Sequence, residues 1–178
     1  MENIKITSGK FRGRNIKSPK SKLTHPMGSR EKIALFNMIS ASLPDAVVLD
    51  AFAGSGALGI EAISRGAESV VFVEKAGSIA KIIRENIDSL GLGDYAKVIT
   101  GDIKDFNPTM KFDIIIADPP YDNFDLTNVL CLEKFLKNDG VLVLSHPDRI
   151  VEINNLKLEK THKYSSAYIS IYKKLHNL

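Results

Sequence analysis

The stretch Asp50-Ala-Phe-Ala-Gly54-Ser-Gly56-Ala-Leu-Gly59 decides the fold of this chain. It follows a short apolar run, Ala46-Val-Val-Leu-Asp50, and it leads into a helical pattern that ends near Arg65. Its three glycines allow tight turns and let a ligand approach the backbone and the helix N-terminus closely. A glycine-rich turn between a strand and a helix predicts an α/β fold with a ligand site at that turn.

The chain around this stretch alternates strand-like and helix-like segments. Further strands are predicted at Ser69–Val73, Ala96–Thr100, Phe112–Ala117 and Gly140–Ser145. Helices are predicted from Ile79 to Leu90 and from about Leu126 to Lys137. Two strands near the end, about Leu156–Lys160 and Tyr168–Lys173, favour an antiparallel hairpin because they lie so close together. The alternation predicts a mostly parallel sheet with helices on both faces.

A short basic segment precedes this body. Ile4–Thr7 and Gly9–Ile16 predict a small hairpin, and a helix is predicted from about Arg30 to Ala41, with Ser29 as its N-cap. The helix must stop before Pro44. We therefore expect an N-terminal extension over residues 1–43 and a main domain over residues 44–178.

Length and composition fit a soluble globular protein. The chain has 178 residues, of which 44% are hydrophobic and 25% charged, so it can bury a sizeable core. Its apolar runs are too short to span a bilayer, and the N-terminus lacks a secretory h-region. The single cysteine, Cys131, excludes an internal disulfide. These features predict a cytoplasmic protein.

Charge is distributed unevenly along the chain. Residues 1–40 carry nine Lys and Arg against two Glu, a net charge of +7, whereas residues 41–178 carry 15 basic and 19 acidic residues, a net charge of −4. A basic arm on an acidic body indicates a polyanionic partner such as a nucleic acid. A solvated lysine-rich terminus would have the same composition.

Acidic residues at two strand ends narrow the choice of ligand. Glu74 follows the second strand of the body, where it can accept hydrogen bonds from ribose hydroxyls. A dinucleotide is the first interpretation of the glycine motif, but the Asp50 carboxylate would repel a pyrophosphate and attract a cation. S-adenosylmethionine, which is cationic and carries no phosphate, fits better. The pattern resembles the cofactor motifs of Rossmann-like methyltransferases, and Asp102 is expected to accept from the adenine amino group. The predicted cofactor site comprises Asp50, Phe52, Ala53, Gly54, Ser55, Gly56, Glu74, Lys75, Asp102 and Ile103.

A second motif, Asp118-Pro119-Pro120-Tyr121, follows the strand Phe112–Ala117. It resembles the signature of methyltransferases that act on exocyclic amino groups of nucleobases. Asp118 and the Pro119 carbonyl can accept hydrogen bonds from such an amine, Pro119 and Pro120 stiffen the loop, and Tyr121 offers a ring for base stacking. We expect no metal and no covalent nucleophile.

With both motifs, the N-terminal segment resembles the RsmD-type family of bacterial methyltransferases, through Ile6-Thr-Ser-Gly-Lys-Phe-Arg-Gly-Arg14 and Ala34-Leu-Phe-Asn37. The resemblance implies methyl transfer from S-adenosylmethionine to N2 of a guanine in 16S rRNA within an assembling small ribosomal subunit. It also implies a seven-stranded sheet whose last strand is antiparallel. His25 stands where the family usually has Arg. We expect a monomer whose RNA contacts are Lys10, Arg12, Arg14, Lys17, His25 and Arg30.

Three other functions remain open from the sequence. An adenine-N6 or cytosine-N4 DNA methyltransferase shares the tetrapeptide, although 178 residues leave no room for a separate target-recognition domain. A non-catalytic RNA-binding assembly factor could retain the pocket. A nicotinamide oxidoreductase would use the glycine motif alone.

Overall fold

Strands and helices alternate along the chain in the computed structural model, which describes residues 2–19, 27–121, 124–147, 151–164 and 167–175. A hairpin of β1 (Glu2–Lys5) and β2 (Asn15–Ser18) comes first, followed by helix α1 (Ser29–Met38). The first half of the body consists of β3 (Val47–Asp50), α2 (Ala57–Ser64), β4 (Ser69–Glu74), α3 (Gly77–Leu90) and β5 (Ala96–Thr100). The second half consists of β6 (Phe112–Ala117), α4 (Leu126–Leu130), β7 (Leu136–His146), β8 (Leu156–Tyr164) and β9 (Ala167–Lys174).

Strands β3 to β9 form one seven-stranded sheet in the order β5-β4-β3-β6-β7-β9-β8. Strands β3 to β7 pair in parallel, and β9 pairs antiparallel with both β7 and β8. This arrangement confirms the predicted α/β class, the mostly parallel sheet, the antiparallel hairpin and the antiparallel last strand. The order of strands reverses between β3 and β6, and such a reversal opens a crevice at the carboxyl ends of the strands.

Both faces of the sheet are covered. One hydrophobic cluster joins Phe36 of α1, Ile60 of α2 and Ile83 of α3 to the sheet, and a second joins Val129 of α4 and Phe135 to its other face. Residues Ile114–Ile116 of β6 are all fully buried, since a parallel strand between two helix layers has no solvent-facing side. This burial explains the continuous apolar run that the sequence shows there.

Helix α3 follows its predicted period. Its buried residues Ala80, Ile83, Ile87 and Leu90 recur every three or four positions and pack on the sheet. Gly91 ends the helix in the left-handed conformation, with φ of 67°, which a glycine adopts at little cost.

Two predicted boundaries next to β7 are wrong. The strand expected at Gly140–Ser145 begins four residues earlier, at Leu136. The helix expected from Leu126 to Lys137 ends at Leu130, and a 3-10 turn (Glu133–Phe135) leads directly into β7. Leu136 is buried and pairs in register with Phe112, so sheet pairing and core packing outweigh helix propensity there.

The N-terminal segment differs from expectation in three details. The helix predicted from about Arg30 to Ala41 ends at Met38. Gly28, not Ser29, is the N-cap of α1. The hairpin is confirmed, but its strands, Glu2–Lys5 and Asn15–Ser18, share only two residues each with the predicted ranges Ile4–Thr7 and Gly9–Ile16. The residues between the strands form turns in which Gly9 and Gly13 have positive φ.

A buried ion-pair cluster fixes this segment to α2. Glu61 is fully buried, and its carboxylate accepts from the Thr7 backbone N–H at 2.9 Å and pairs with Lys32 at 3.2 Å and Arg65 at 2.9 Å. A buried carboxylate needs such partners to offset its lost hydration. Together they keep the pKa of Glu61 below its ordinary value despite burial, which by itself raises it; the Thr7 hydrogen bonds are the largest lowering cause. The turn after β1 and helix α1 are therefore both joined to α2 through Glu61.

Candidate active site

A cavity of about 630 Å³ opens at the carboxyl ends of the parallel strands. Its walls include Gly54 after β3, Glu74 at the end of β4, Asp102 after β5 and Asp118 after β6. Because these strands run in the same direction, four loops that are distant in sequence meet at one edge of the sheet. The volume lies within the roughly 300–1,000 Å³ typical of pockets for small organic ligands.

Most residues of the two predicted motifs line this cavity. Of the fourteen residues predicted for cofactor binding and catalysis, twelve contribute to its walls: Phe52, Ala53, Gly54, Ser55, Glu74, Lys75, Asp102, Ile103, Asp118, Pro119, Pro120 and Tyr121. The two exceptions are Asp50 and Gly56. The structure thus brings the glycine loop and the Asp-Pro-Pro-Tyr loop to a single space.

Asp50 does not face the ligand space. It is 1% exposed, and its Oδ2 accepts a hydrogen bond from the Gly59 backbone N–H at 2.9 Å. Burial raises the pKa of Asp50 to about 7, the Gly59 bond opposes the rise, and the charges of Asp118 and Glu74 add to it. The expectation that its carboxylate meets a cationic ligand is therefore corrected: Asp50 instead holds the start of α2 against β3.

The structure explains why glycine occupies each of the three positions in this loop. Gly54 and Gly56 have φ of 51° and 80°, a region that side chains with a Cβ disfavour. A Cβ at Gly59 would lie 2.2 Å from the Phe72 ring, so this position permits the close approach of α2 to β4. Gly56 is the buried residue of the loop directly before α2, and it does not contribute to the cavity wall.

Glu74 lies at the cavity wall with its carboxylate oriented by two backbone groups. Its Oε2 accepts from the Gly54 N–H and its Oε1 from the Ala76 N–H, both at 2.8 Å. A carboxylate has about four acceptor sites, so each oxygen can accept one further hydrogen bond. The geometry suits a ligand that presents two neighbouring hydroxyl groups.

Asp102 and Lys75 form an exposed pair at the same end of the cavity. Lys75 Nζ lies 2.8 Å from Asp102 Oδ2, and the Lys104 N–H donates to Asp102 Oδ1 at 3.1 Å. The hydrogen bond from Lys75 keeps the pKa of Asp102 below its ordinary value, so this carboxylate is ionised at neutral pH and acts as an acceptor.

Asp118 and Tyr121 face the cavity from the loop after β6. Burial raises the pKa of Asp118 to about 6, whereas hydrogen bonds from Ser145 and Tyr121 oppose the rise. The Tyr121 hydroxyl bonds with Ser145 Oγ, and 37% of the tyrosine remains exposed. Burial, followed by the charge of Asp118, raises the pKa of Tyr121 to about 12, so its hydroxyl stays protonated.

Sequence reasoning missed one wall of the cavity. Ser18, Pro19, Met27 and Lys32 line it from the N-terminal segment, and Ser145 supports it from β7. For Lys32 a signal existed: it precedes Leu35, Phe36 and Ile39 at the helical spacing of a buried stripe. For Ser145 no motif indicates the contact, because only the pairing of β6 with β7 brings it to Tyr121.

The predicted RNA-contacting residues lie elsewhere. Lys10 donates through its backbone to Ser64 at the end of α2, and Arg14 donates to the Ser89 carbonyl in the last turn of α3. Because α3 has 14 residues, the Arg14 contact lies about 18 Å along that helix from its N-terminal end, which faces the cavity edge; the Lys10 contact lies at the far end of the 8-residue α2, about 11 Å from its start. Lys17 pairs with Glu85 midway along α3. Arg12 and Arg30 are exposed, and neither lines the cavity; His25 lies outside the described residues.

Comparison with known proteins agrees with this geometry. A family model described as "Conserved hypothetical protein 95", that of the RsmD family, matches residues 4–173. The chain belongs to this RsmD-type methyltransferase family.

Two relatives match most of the chain. It is 33% identical to "Putative rRNA methyltransferase YlbH" of Bacillus subtilis, over 96% of this chain and 99% of the relative. It is 34% identical to "Ribosomal RNA small subunit methyltransferase D" of Haemophilus influenzae, over 78% and 76%. Among solved structures, "Putative methyltransferase yhhF" of Escherichia coli superposes with a TM-score of 0.88 at 25% identity, covering 99% of this chain and 100% of that one. The RsmD-type family therefore accounts for the body and the N-terminal segment together.

Proposed function

We propose that this RsmD-type protein transfers a methyl group from S-adenosylmethionine to the exocyclic N2 of a guanine in small-subunit (16S) rRNA. One observation carries the proposal: Glu74 and the Asp118–Tyr121 loop line the same cavity, from strand ends on either side of the reversal in strand order. The names of the relatives, which specify rRNA methyltransferases, support the choice of substrate.

The acceptor groups of the cavity fit S-adenosylmethionine better than a dinucleotide. Glu74 and Asp102 are the carboxylates beside the glycine loop, and Lys75 is already paired with Asp102. Two carboxylates repel a pyrophosphate but suit ribose hydroxyls and an adenine amino group. Glu74, Asp102 and the backbone of the glycine loop would hold the cofactor, which supplies the electrophilic methyl group when bound.

The nucleobase half of the reaction depends on the loop after β6. The exocyclic amine is a weak nucleophile because its lone pair is delocalised into the ring. Hydrogen bonds from the amine to the Asp118 carboxylate and the Pro119 carbonyl favour a pyramidal nitrogen with a directed lone pair. Tyr121 stacks on the base, which is worth roughly 1–3 kcal/mol. Once the new N–C bond has formed and the C–S bond has broken, the nitrogen carries a surplus proton, which ionised Asp118 can accept.

We further propose that residues 1–43 form an RNA-binding extension of the methyltransferase domain at 44–178. The protein would act as a monomer in the cytoplasm, and its substrate would be a small ribosomal subunit during assembly. Lys10 and Arg14 lie close to the Phe11 ring, at 5.5 and 6.0 Å from its centre, which gathers positive charge at the hairpin tip. With Arg12 and Lys17 they would contact phosphates remote from the reacting base. Arg30 and His25 are the other two proposed RNA contacts.

Methyl incorporation into rRNA and assembled subunits tests the activity. The expected product is N2-methylguanine at one position, with no incorporation into DNA. In Asp118→Ala we expect loss of incorporation with retained binding of S-adenosylhomocysteine; turnover near that of the wild type would remove the proposed role of Asp118. Calorimetric binding of NAD in place of S-adenosylhomocysteine would favour the oxidoreductase instead.

The extension has its own test. RNA affinity should fall with salt concentration, and neutralising Arg12 and Arg14 should flatten that dependence, because fewer counterions are released on binding. An unchanged slope would leave the hairpin as a solvated terminus. Neutralising Lys97, an exposed lysine on β5, serves as a control for loss of positive charge away from the hairpin.

A further inference from the structure

Ser145 connects β7 to the loop that carries the proposed catalytic residues. It is 2% exposed and lies next to the end of β7, where its hydroxyl bonds with the Tyr121 hydroxyl. Both hydroxyl groups also lower the pKa of Asp118 by hydrogen bonding, and the effect of Ser145 is the larger. The two hydroxyl groups carry two protons and ionised Asp118 carries none, so only two of the three contacts can be hydrogen bonds at one time. The order in which Tyr121 donates to Ser145 and Ser145 donates to Asp118 uses both protons.

A neighbouring serine shows what a purely structural role looks like. Ser170 on β9 is also fully buried, and its Oγ lies 2.8 Å from His146 Nε2 and 2.8 Å from Thr161 Oγ1. Both partners belong to adjacent strands, so Ser170 stabilises the sheet itself. Ser145 instead reaches out of the sheet to a loop that lines the cavity.

We propose that Ser145 is a positioning residue for methyl transfer: its hydroxyl orients the Tyr121 ring and holds the Asp118 carboxylate in its ionised, accepting form. The inference deepens the proposed function and rests on it. It assigns a role to a side chain that neither sequence motif contains.

The surroundings of Asp118 explain why a neutral donor is needed. The charge of Asp118 contributes to the raised pKa of Asp50 at the end of β3, and Glu31 of α1 adds a negative charge that raises the pKa of Tyr121. Asp125 lines the same cavity beside α4 and adds a further negative group, and Lys32 from α1 supplies a positive one, although Glu61 already pairs with it. Burial raises the pKa of Asp118, and the hydrogen bond from Ser145 is the largest opposing cause.

The test compares Ser145→Ala with Ser170→Ala. Both remove a buried hydroxyl from adjacent strands, so both should lower stability to a similar extent. Only Ser145→Ala should reduce kcat, by about tenfold or more, because it removes a hydrogen bond to a charged group. Only Ser145→Ala should also move the acidic limb of the pH profile of kcat/KM to higher pH, with the KM for S-adenosylmethionine unchanged. Tyr121→Phe should move the limb in the same direction.

If the acidic limb of the kcat/KM profile lay at the same pH in the wild type and in Ser145→Ala, the proposal would be overturned, even if the variant were slower. Ser145→Thr keeps the hydroxyl and should show the same acidic limb of the kcat/KM profile as the wild type. This variant also tests the proposal if Ser145→Ala does not fold. A displaced acidic limb in Ser145→Thr would count against the proposal. The carboxyl carbon of Asp118 can also be titrated by NMR in the ligand-free protein. That titration tests the role of Ser145 independently of activity. If the wild type methylated no rRNA, the proposed function would be removed, but the titration would still show whether Ser145 affects Asp118.

Discussion

Two aspartates at the ends of neighbouring parallel strands have opposite surroundings. Asp50 ends β3 and turns inward to the Gly59 backbone, whereas Asp118 comes directly after β6 and lines the cavity. Burial raises the pKa of both carboxyl groups, to about 7 and about 6. The difference comes from the loop after each strand: the glycine loop leads to the Gly59 N–H, which donates to Asp50, whereas Pro119 and Pro120 after Asp118 have no backbone N–H to donate. The loop that follows a strand therefore determines whether an acidic residue at the end of that strand is structural or lines the cavity.

The largest expected effect separates the two acids by activity. Asp118→Asn should reduce kcat about 10²–10⁴-fold, since it removes the group that accepts the amine proton. Asp50→Asn should reduce it far less, because the new amide oxygen can still accept from the Gly59 N–H and lies outside the cavity. Initial rates at saturating S-adenosylmethionine measure both. Equal losses in the two variants would show that Asp50 also acts on the reacting groups.

The next effect separates them by the pH dependence of stability. Because the pKa of Asp50 is higher in the folded than in the unfolded protein, it contributes stability that is fully present below about pH 4 and is lost as pH rises through about 7. Asp50→Asn removes this dependence. Relative to the wild type, the variant should gain about 2–3 kcal/mol in free energy of unfolding between pH 5 and pH 8. Urea unfolding of both proteins at each pH measures the difference in free energy of unfolding. A difference that does not change with pH would show that Asp50 is ionised in the folded protein.

Gly59→Ala sharpens the comparison from the side of the loop. The new Cβ would lie 2.2 Å from the Phe72 ring, so α2 must move away from β4 and weaken the hydrogen bond to Asp50. We expect a loss of about 1–3 kcal/mol in stability. Gly93→Ala is the control, because a Cβ there meets nothing within 4 Å. Thermal unfolding of both variants checks the difference, and equal stabilities would refute the tight packing at Gly59.

The smallest effect concerns the exposed pair in the cofactor half of the cavity. Lys75→Ala breaks the pair with Asp102, but the Lys75 side chain is 79% exposed, so stability should not change measurably. Asp102→Ala should weaken S-adenosylhomocysteine binding, because it removes an acceptor from the cavity wall. Calorimetry of both variants distinguishes a surface pair from a ligand contact. Equal affinities in Asp102→Ala and the wild type would remove Asp102 from the cofactor site.

Local patterns predict most of the elements that build the sheet. The predicted ranges of β6, at Phe112–Ala117, and of β5, at Ala96–Thr100, are confirmed residue for residue, because these apolar β-forming runs are bounded by polar turns. Elements whose ends depend on contacts elsewhere are predicted wrongly. Leu136 lies in a helical pattern but belongs to β7, where pairing with β6 decides its conformation.

The candidate site divides in the same way. By itself, the sequence determined which loops carry chemistry, since glycines, prolines and acids at strand ends are local features with local consequences. Only the tertiary structure decided which side chains face the cavity: it turned Asp50 inward, brought Ser145 to Tyr121, and placed the Lys10 end of the hairpin at the edge remote from the cavity. The physical reason is that side-chain direction and burial depend on neighbours far away in the chain, and packing selects those neighbours only after all the elements have come together.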